Sequence, residues 1–313
     1  MSDSVTAFAP ASIGNLGVGF DMLGLALADV GDRVTARRAD GDGVRVAAVY
    51  GLDGEPHPYL SADTNQNTAS IAAAALWGDK GGQSGLELSI RKGVPLQSGM
   101  GSSAASAVAG VVAANALLPE PLATEALLPY ALEGEKFASG GLHADNVAPS
   151  LLGGLVLCPT VLLPRTVNLE VPDGVSAVLL HPELSVNTAH SRRGLARGCT
   201  VEQWLAQQGY LAGFITACAR SDIELIRATL KDVIIEPQRA ESVKCFEDVR
   251  AAALASGALG CSLSGSGPSI FALVEDRHAK NLAVCMEQAC RALGIDCQTW
   301  ISPMDAPGAR VET

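Results

Sequence analysis

Residues 92–118, KGVPLQSGMGSSAASAVAGVVAANALL, limit the fold of this chain more than any other stretch. They read as a turn-rich loop that runs straight into a helix of small residues. Pro95, Gly99 and Gly101 supply the fixed and the unusual backbone angles of a tight loop. Ser102 and Ser103 then fall at the N-cap or in the first turn of the helix. The amides of that turn have no partner inside the helix, and the helix dipole is positive there. Such a loop can cradle an anion, most often a phosphate. It is not a Walker A loop, because no Gly-Lys-Ser/Thr follows the glycines. An ordinary glycine-rich turn with a serine cap has the same residues, so the loop alone leaves both readings open.

The flanks of the loop read as alternating strands and helices. A strand is expected at 5–9, followed by a glycine-dense loop from Pro10 that carries Gly14, Asn15, Gly17, Gly19 and Asp21, and a strand at 22–27. Asn15 and Asp21 in that setting suggest the wall of a site, and turn-backbone hydrogen bonding explains them equally well. Strands at 34–38 and 44–50 are expected to form a hairpin through Asp40-Gly41-Asp42-Gly43. An Ala-rich helix is expected at 65–77. Leu86, Leu88 and Ile90 alternate with polar residues, the pattern of a half-buried strand that delivers the chain to the loop. Ala126, Leu127, Tyr130 and Ala131 give helical spacing over 122–137. A second glycine-marked segment follows at 138–157, ASGGLHADNVAPSLLGGLVL, where Asp145 or Asn146 can cap a short helix that ends at Gly153-Gly154. Capping plus one core histidine accounts for that segment as well as a binding site does.

Prolines punctuate residues 159–172, and the domain boundary is placed there, dividing 1–160 from 161–313. The second half reads as a strand at 175–181, helices at 201–220, 223–230 and 242–256, strands at 257–263 and 269–274, a helix at 277–293 and a strand at 297–301. That order suits an α+β sandwich, one sheet covered by helices. SLSGSGPS, 262–269, is a tight turn at which backbone approaches something closely.

Charge and composition remove several function classes. The formal net charge is −11, from 22 basic and 33 acidic residues, which argues against general nucleic-acid or anionic-membrane binding. A small anion held in a local basic pocket remains compatible. No basic region followed by an apolar run opens the chain, so no signal peptide is expected, and the helix after the loop is too short to span a bilayer. The eight cysteines contain no C-x2-C pair and no histidine at zinc-ligand spacing. They are expected to be buried thiols in a reducing cytosol, which places the chain in the cytoplasm.

Three motifs in order add up to a resemblance: the early PASIGNLGVGFD block, the PLQSGMGSSAA loop and the late SGSGPS turn. Together they resemble the GHMP kinase superfamily, and HADNVAPSLLGG with KDVIIEP resembles the homoserine kinases within it. The resemblance covers essentially the whole chain. It implies a two-domain α+β GHMP kinase fold, with an N-terminal ribosomal-protein-S5-domain-2-like α/β domain that binds ATP and a C-terminal ferredoxin-like α/β sandwich. It implies phosphorylation of the side-chain hydroxyl of L-homoserine by ATP with Mg²⁺, in threonine biosynthesis, by a homodimer.

The resemblance also assigns residues. Pro95, Ser98, Gly99, Met100, Gly101, Ser102 and Ser103 would wrap the ATP phosphates, with Asn67 near the adenine. Ser103 and Glu135 would hold Mg²⁺, a hard ion that takes oxygen ligands, and Glu133 is the rival carboxylate on the same segment. Arg192 and Arg239 would pair with the substrate carboxylate, a task suited to a planar fork, although Arg193 and Arg197 crowd Arg192. Asp21 would meet the ammonium, with Asn15 and Gly265 beside it. His143, Asp145 and Asn146 would line the hydroxyl end.

Some relatives carry an Asp general base where Asn146 stands here, and an amide has no useful basic site. The resemblance therefore implies direct attack by the hydroxyl, its proton passing to the phosphate, with Asn146, Asp145 and Arg192 as the catalytic set. Asp145 stays open as a base. Met100 replaces the usual Leu, a volume-conserving change. Two other readings are a related kinase of mevalonate or sugar type, and a non-catalytic ligand sensor on the same fold.

Overall fold

The computed structural model describes residues 3–81, 84–186, 194–196 and 198–312. Two sheets organise it. The first follows from β1 (Ser4–Gly14), β2 (Leu23–Ala39), β3 (Val44–Tyr50) and β4 (Gly85–Arg91). Between β3 and β4 runs α1 (Thr68–Asp79), with Asn67 as its N-cap. Strand β4 leads through the glycine loop to α2 (Ser102–Ala116), then α3 (Leu128–Ser139) and α4 (Ala144–Leu152). Two short strands, β5 (Leu155–Leu157) and β6 (Val167–Leu169), extend the same sheet from β2.

The expected hairpin between β2 and β3 is a correction. The turn at 40–43 does reverse the chain, but β4 lies between the two strands, antiparallel to β2 and parallel to β3. A parallel neighbour needs a crossover, and the Ala-rich α1 supplies it. A second correction concerns α4. Its N-cap is His143, with no side-chain cap bond, and Asp145 lies in its first turn with Asn146 beside it.

The second sheet has the order β10-β7-β9-β8, antiparallel throughout, from β7 (Val175–Pro182), β8 (Gly260–Leu263), β9 (Ile270–Glu275) and β10 (Cys297–Pro303). Its helices are α5 (Val201–Arg220), α6 (Ile223–Thr229), α7 (Glu236–Arg239), α8 (Phe246–Ala255) and α9 (Asp276–Ala292). The chain then returns to the first sheet, where β11 (Arg310–Glu312) pairs antiparallel with β1.

Strand alternation explains how the two sheets share a core. Successive side chains of a strand point to opposite faces. Ala177, Leu179, Phe271 and Leu273 pack with Ile13, Leu23, Leu25 and Leu27 of the first sheet in one buried cluster. Val178, Leu180, Ile270, Ala272 and Val274 face the other way, against Phe246, Val249, Leu282 and Met286 of α8 and α9. A third cluster fills the space between the first sheet and α1 to α4. Strand β1 serves two of them: Ala7 and Ala9 belong to the helix-side cluster, Ala11 and Ile13 to the inter-sheet cluster. Its register with β2 shifts between Pro10 and Ser12, a bulge that re-aims the strand toward the loop. Gly24 lets α4 lie directly on β2, since a Cβ there would collide with the Asp145 carbonyl.

Candidate active site

A cavity of about 400 Å³ opens where the glycine loop, the end of β1, the first turn of α4 and the 264–267 turn meet. Asn15, Asp21, Asn67, Ser98, Gly99, Gly101, Ser102, Ser103, Glu135, His143, Asp145, Asn146, Arg239 and Gly265 all line it. Pro95 and Met100 do not. The Met100 side chain is fully buried in the inter-sheet core, and its carbonyl accepts from Ser12 N at 3.0 Å. Pro95 O accepts from Ser98 Oγ at 2.8 Å. Arg192, with its neighbour Arg193 and with Arg197, lies outside the described residues.

The helix start is shaped for an anion. Gly101 is the N-cap of α2 with a left-handed backbone (φ 68°), and no side chain caps the first turn. The Ser102 hydroxyl, the nearest candidate, instead donates to Val94 O at 3.0 Å. The first-turn amides therefore keep their donor capacity at the cavity wall. The loop is pressed from the second sheet by the 264–269 turn. Ser264 Oγ donates to Gly99 O at 2.7 Å, and Ser269 N donates to Ser98 O at 3.1 Å. Gly99 has φ 76°, and a Cβ there would stand 2.5 Å from Ser264 O and 2.7 Å from Gly267 O, so only glycine fits.

Beside the loop, Ser103 Oγ donates to Glu135 Oε2 at 2.7 Å, and Glu135 is only 7% exposed. Glu133 is exposed, pairs with Lys136 at 3.9 Å, and is not part of the cavity wall. Asn67 uses its amide to cap α1: Oδ1 accepts from Ala69 N and Nδ2 donates to Ser61 O, each at 3.1 Å.

The opposite side gathers around one carbonyl. Gly265 O accepts from Asn15 Nδ2 and from an Arg239 guanidinium N–H, both at 2.9 Å. Arg239 is 4% exposed and its guanidinium lies over the Phe20 ring, 5.2 Å from the centroid. Asn15 Oδ1 in turn accepts from Asp21 N at 2.9 Å. Asn15 and Asp21 both hold left-handed backbone (φ 66° and 55°), an uncommon state that the surrounding bonds maintain. His143 Nδ1 stands 3.7 Å from Asp21 Oδ1. On α4, Asn146 Oδ1 accepts from Ser12 Oγ at 2.9 Å. Asp145 Oδ2 and Asn146 Nδ2 each lie 2.7 Å from where a Cβ on Gly14 would stand, so Gly14 makes room for both.

Sequence reasoning passed over several residues at and behind this wall. Lys92, Asp32 and Ser106 form a buried cluster behind the loop, and Ser12, Phe20 and Ser264 hold site residues in place. An acid in an apolar strand pattern, Val30-Gly31-Asp32, was the available signal for the first of these.

The chain matches the model of the GHMP kinases N terminal domain over residues 67–154 and that of the GHMP kinases C terminal domain over 214–292. It is 45% identical over 306 residues to a homoserine kinase from Xylella fastidiosa (strain M12), covering 97% of this chain and 93% of that protein. It is 38% identical over 319 residues to a homoserine kinase from Chloroherpeton thalassium, covering 98% and 99%. Among solved structures, the crystal structure of homoserine kinase from Cytophaga hutchinsonii superposes with a TM-score of 0.95 at 40% identity, covering 100% of this chain and 98% of that one.

Proposed function

The chain belongs to the homoserine kinases of the GHMP kinase superfamily, and on that premise we propose that it transfers the γ-phosphoryl group of ATP to the side-chain hydroxyl of L-homoserine, giving O-phospho-L-homoserine on the route to threonine. The observation that carries the site reading is a juxtaposition. Arg239 and Asn15 converge on the Gly265 carbonyl, and the neighbouring Ser264 is bonded to the glycine loop at Gly99. On this reading an amino-acid pocket and a phosphate cradle share one short turn.

In this reading the uncapped first turn of α2 and the amides of the loop receive the ATP phosphates, with Asn67 toward the base. Arg239, joined by Arg192, holds the substrate carboxylate, while Asp21 and Asn15 receive the ammonium. His143, Asp145 and Asn146 orient the hydroxyl. Phosphoryl transfer passes through a loose transition state, so positioning and charge neutralisation carry most of the catalysis. Asn146 is an amide already committed to Ser12 and has no basic site, so the hydroxyl proton passes to the phosphoryl oxygen without a dedicated general base.

Ser103 and Glu135 fit Mg²⁺: a buried carboxylate oxygen 2.7 Å from a hydroxyl oxygen is a hard-oxygen donor pair. Among the described residues no group of three His, Cys, Asp or Glu is arranged to hold a metal alone. One carboxylate with substrate phosphates is the usual protein share of a Mg²⁺ site. When bound, the ion supplies neutralisation of phosphate charge.

The same proposal keeps the chain divided near residue 160, with β6 and β11 contributed back to the first sheet, and places it in the cytoplasm as a homodimer. Six of the eight free cysteines are buried as expected, but Cys285 is half-buried and Cys199 exposed; the unpaired thiols support the cytoplasmic reading. Burial pushes the Cys218 thiol up to about 12, far from the reactive thiolate. Light scattering tests the dimer. The activity is tested by coupled ADP release with ATP–Mg²⁺ across homoserine, mevalonate and galactose. Turnover is expected with homoserine alone; equal or greater turnover with either other alcohol, or none with homoserine, overturns it.

A further inference from the structure

We infer that the buried Lys92–Asp32 pair is a positioning device for the nucleotide cradle, setting the loop at both of its ends for a polyphosphate; the inference rests on the kinase reading above. Asp32 Oδ1 accepts from Gly93 N at 2.8 Å and Val94 N at 3.1 Å, which fixes the loop where it leaves β4. Asp32 Oδ2 accepts from Lys92 Nζ and from Ser106 Oγ. Lys92 Nζ also donates to Ser102 O at 2.9 Å and Ser106 Oγ at 2.8 Å, which fixes the first turns of α2. The hydroxyl of Ser102 closes the ring onto Val94 O.

Two arguments favour a role in binding over a role in stability. The Lys92 and Asp32 side chains are 3% and 0% exposed, and burying both charges is an expensive way to join two strands and a helix. Apolar side chains of the same volume would serve stability as well. The second argument is charge. Lys92 lines the cavity, whereas Asp32 does not, so the lysine is the member of the pair nearer the cavity. Among the described lining residues, Asp21, Glu135 and Asp145 bring negative charge, and Lys92 and Arg239 are the lysine and arginine present. Arg239 sits at the Gly265 side, so Lys92 is the cation behind the phosphate loop. A polyanion entering an acidic cavity needs positive potential there, and fixed dipoles aimed by a rigid loop add to it.

The test uses the intact enzyme and ATP–Mg²⁺, with affinity read by calorimetry and KM for ATP and for homoserine read separately. Lys92→Met alone leaves Asp32 buried without its partner, so the decisive variant is Asp32→Asn with Lys92→Met, which removes both charges, keeps the volume and leaves an acceptor for Gly93 and Val94. Its ATP affinity is expected to fall by about tenfold or more, with KM for homoserine within about twofold of wild type. Ser106→Ala leaves both charges in place and carries the same test should the double variant not fold, with ATP affinity falling by about threefold. A folded variant that binds ATP as tightly as wild type overturns the inference alone. A wild-type chain that neither binds ATP nor releases ADP with homoserine overturns the kinase reading, and this inference with it.

Discussion

Ser103 Oγ donates a 2.7 Å hydrogen bond to Glu135 Oε2, so the first turn of α2 and a carboxylate from α3 share one wall of the cavity. The bond separates Glu135 from its neighbour Glu133, which is solvent-exposed and paired with Lys136. Glu135→Gln is expected to lower kcat/KM by about 100-fold and to raise the Mg²⁺ concentration needed for half-maximal rate. Glu133→Gln is expected to stay within about twofold of wild type, since an exposed pair contributes little. A Mg²⁺ titration of both variants checks this, and equal losses would remove the distinction.

Asn146 is tied to Ser12 and flanked by Asp145, which makes the two α4 residues separable by mutation. Asn146→Ala is expected to lose about 100-fold or more in kcat with ATP affinity retained, and Asp145→Asn less than about tenfold. Single-turnover rates on folded variants decide it. An Asp145→Asn enzyme as inactive as Asn146→Ala, while still binding ATP, would make Asp145 the base and end the direct-transfer reading.

Gly99 carries the contact between the two sheets at the loop. Gly99→Ala puts a methyl group 2.5 Å from Ser264 O at a left-handed backbone angle. The variant is expected to lose about 1–3 kcal/mol of stability and to raise KM for ATP more than KM for homoserine. Thermal melting and steady-state kinetics on the same preparation check both halves.

His181, on β7, has Nδ1 3.1 Å from Ser269 Oγ, and burial pushes its pKa below the ordinary imidazole value of 6.5. The folded chain therefore holds this proton less well than the unfolded chain. The contribution to stability is complete above pH 6.5 and is lost as pH falls through the lower, folded value. Wild type is expected to lose more melting temperature between pH 7.5 and pH 5 than His181→Asn does. Parallel pH profiles for the two proteins would show that another group titrates.

Much of the architecture was legible because it depends on local periodicity. The alternation of Leu86, Leu88 and Ile90 marked β4, and the boundaries of β3, α2 and α5 followed from apolar spacing and glycines. The strand order was not legible at the 40–43 turn. A reversal of direction says nothing about which strand later slips between the two, and here β4 does. The motif residues of the site were legible one by one, whereas the long-range contacts that hold them were not. Ser12 meets Asn146 across 134 positions of sequence, and Lys92 meets Asp32 across 60. No spacing rule reaches that far. Around His143 the local sequence left a core residue beside a cap and a site wall equally open, because the two patterns are the same until the partner element is known.

The pairing of β11 with β1 sets a timetable for biosynthesis. Thr6, Ala7 and Phe8 find their partners in Glu312, Val311 and Arg310, made some three hundred residues later. At roughly 5–20 residues per second, the outer rim of β1 emerges from the ribosome and waits on the order of 15–60 s for its cover. An uncovered rim is a template for neighbouring chains. During translation this edge of β1 is thus open to neighbouring chains, and removing residues 310–312 is expected to make that passing hazard permanent.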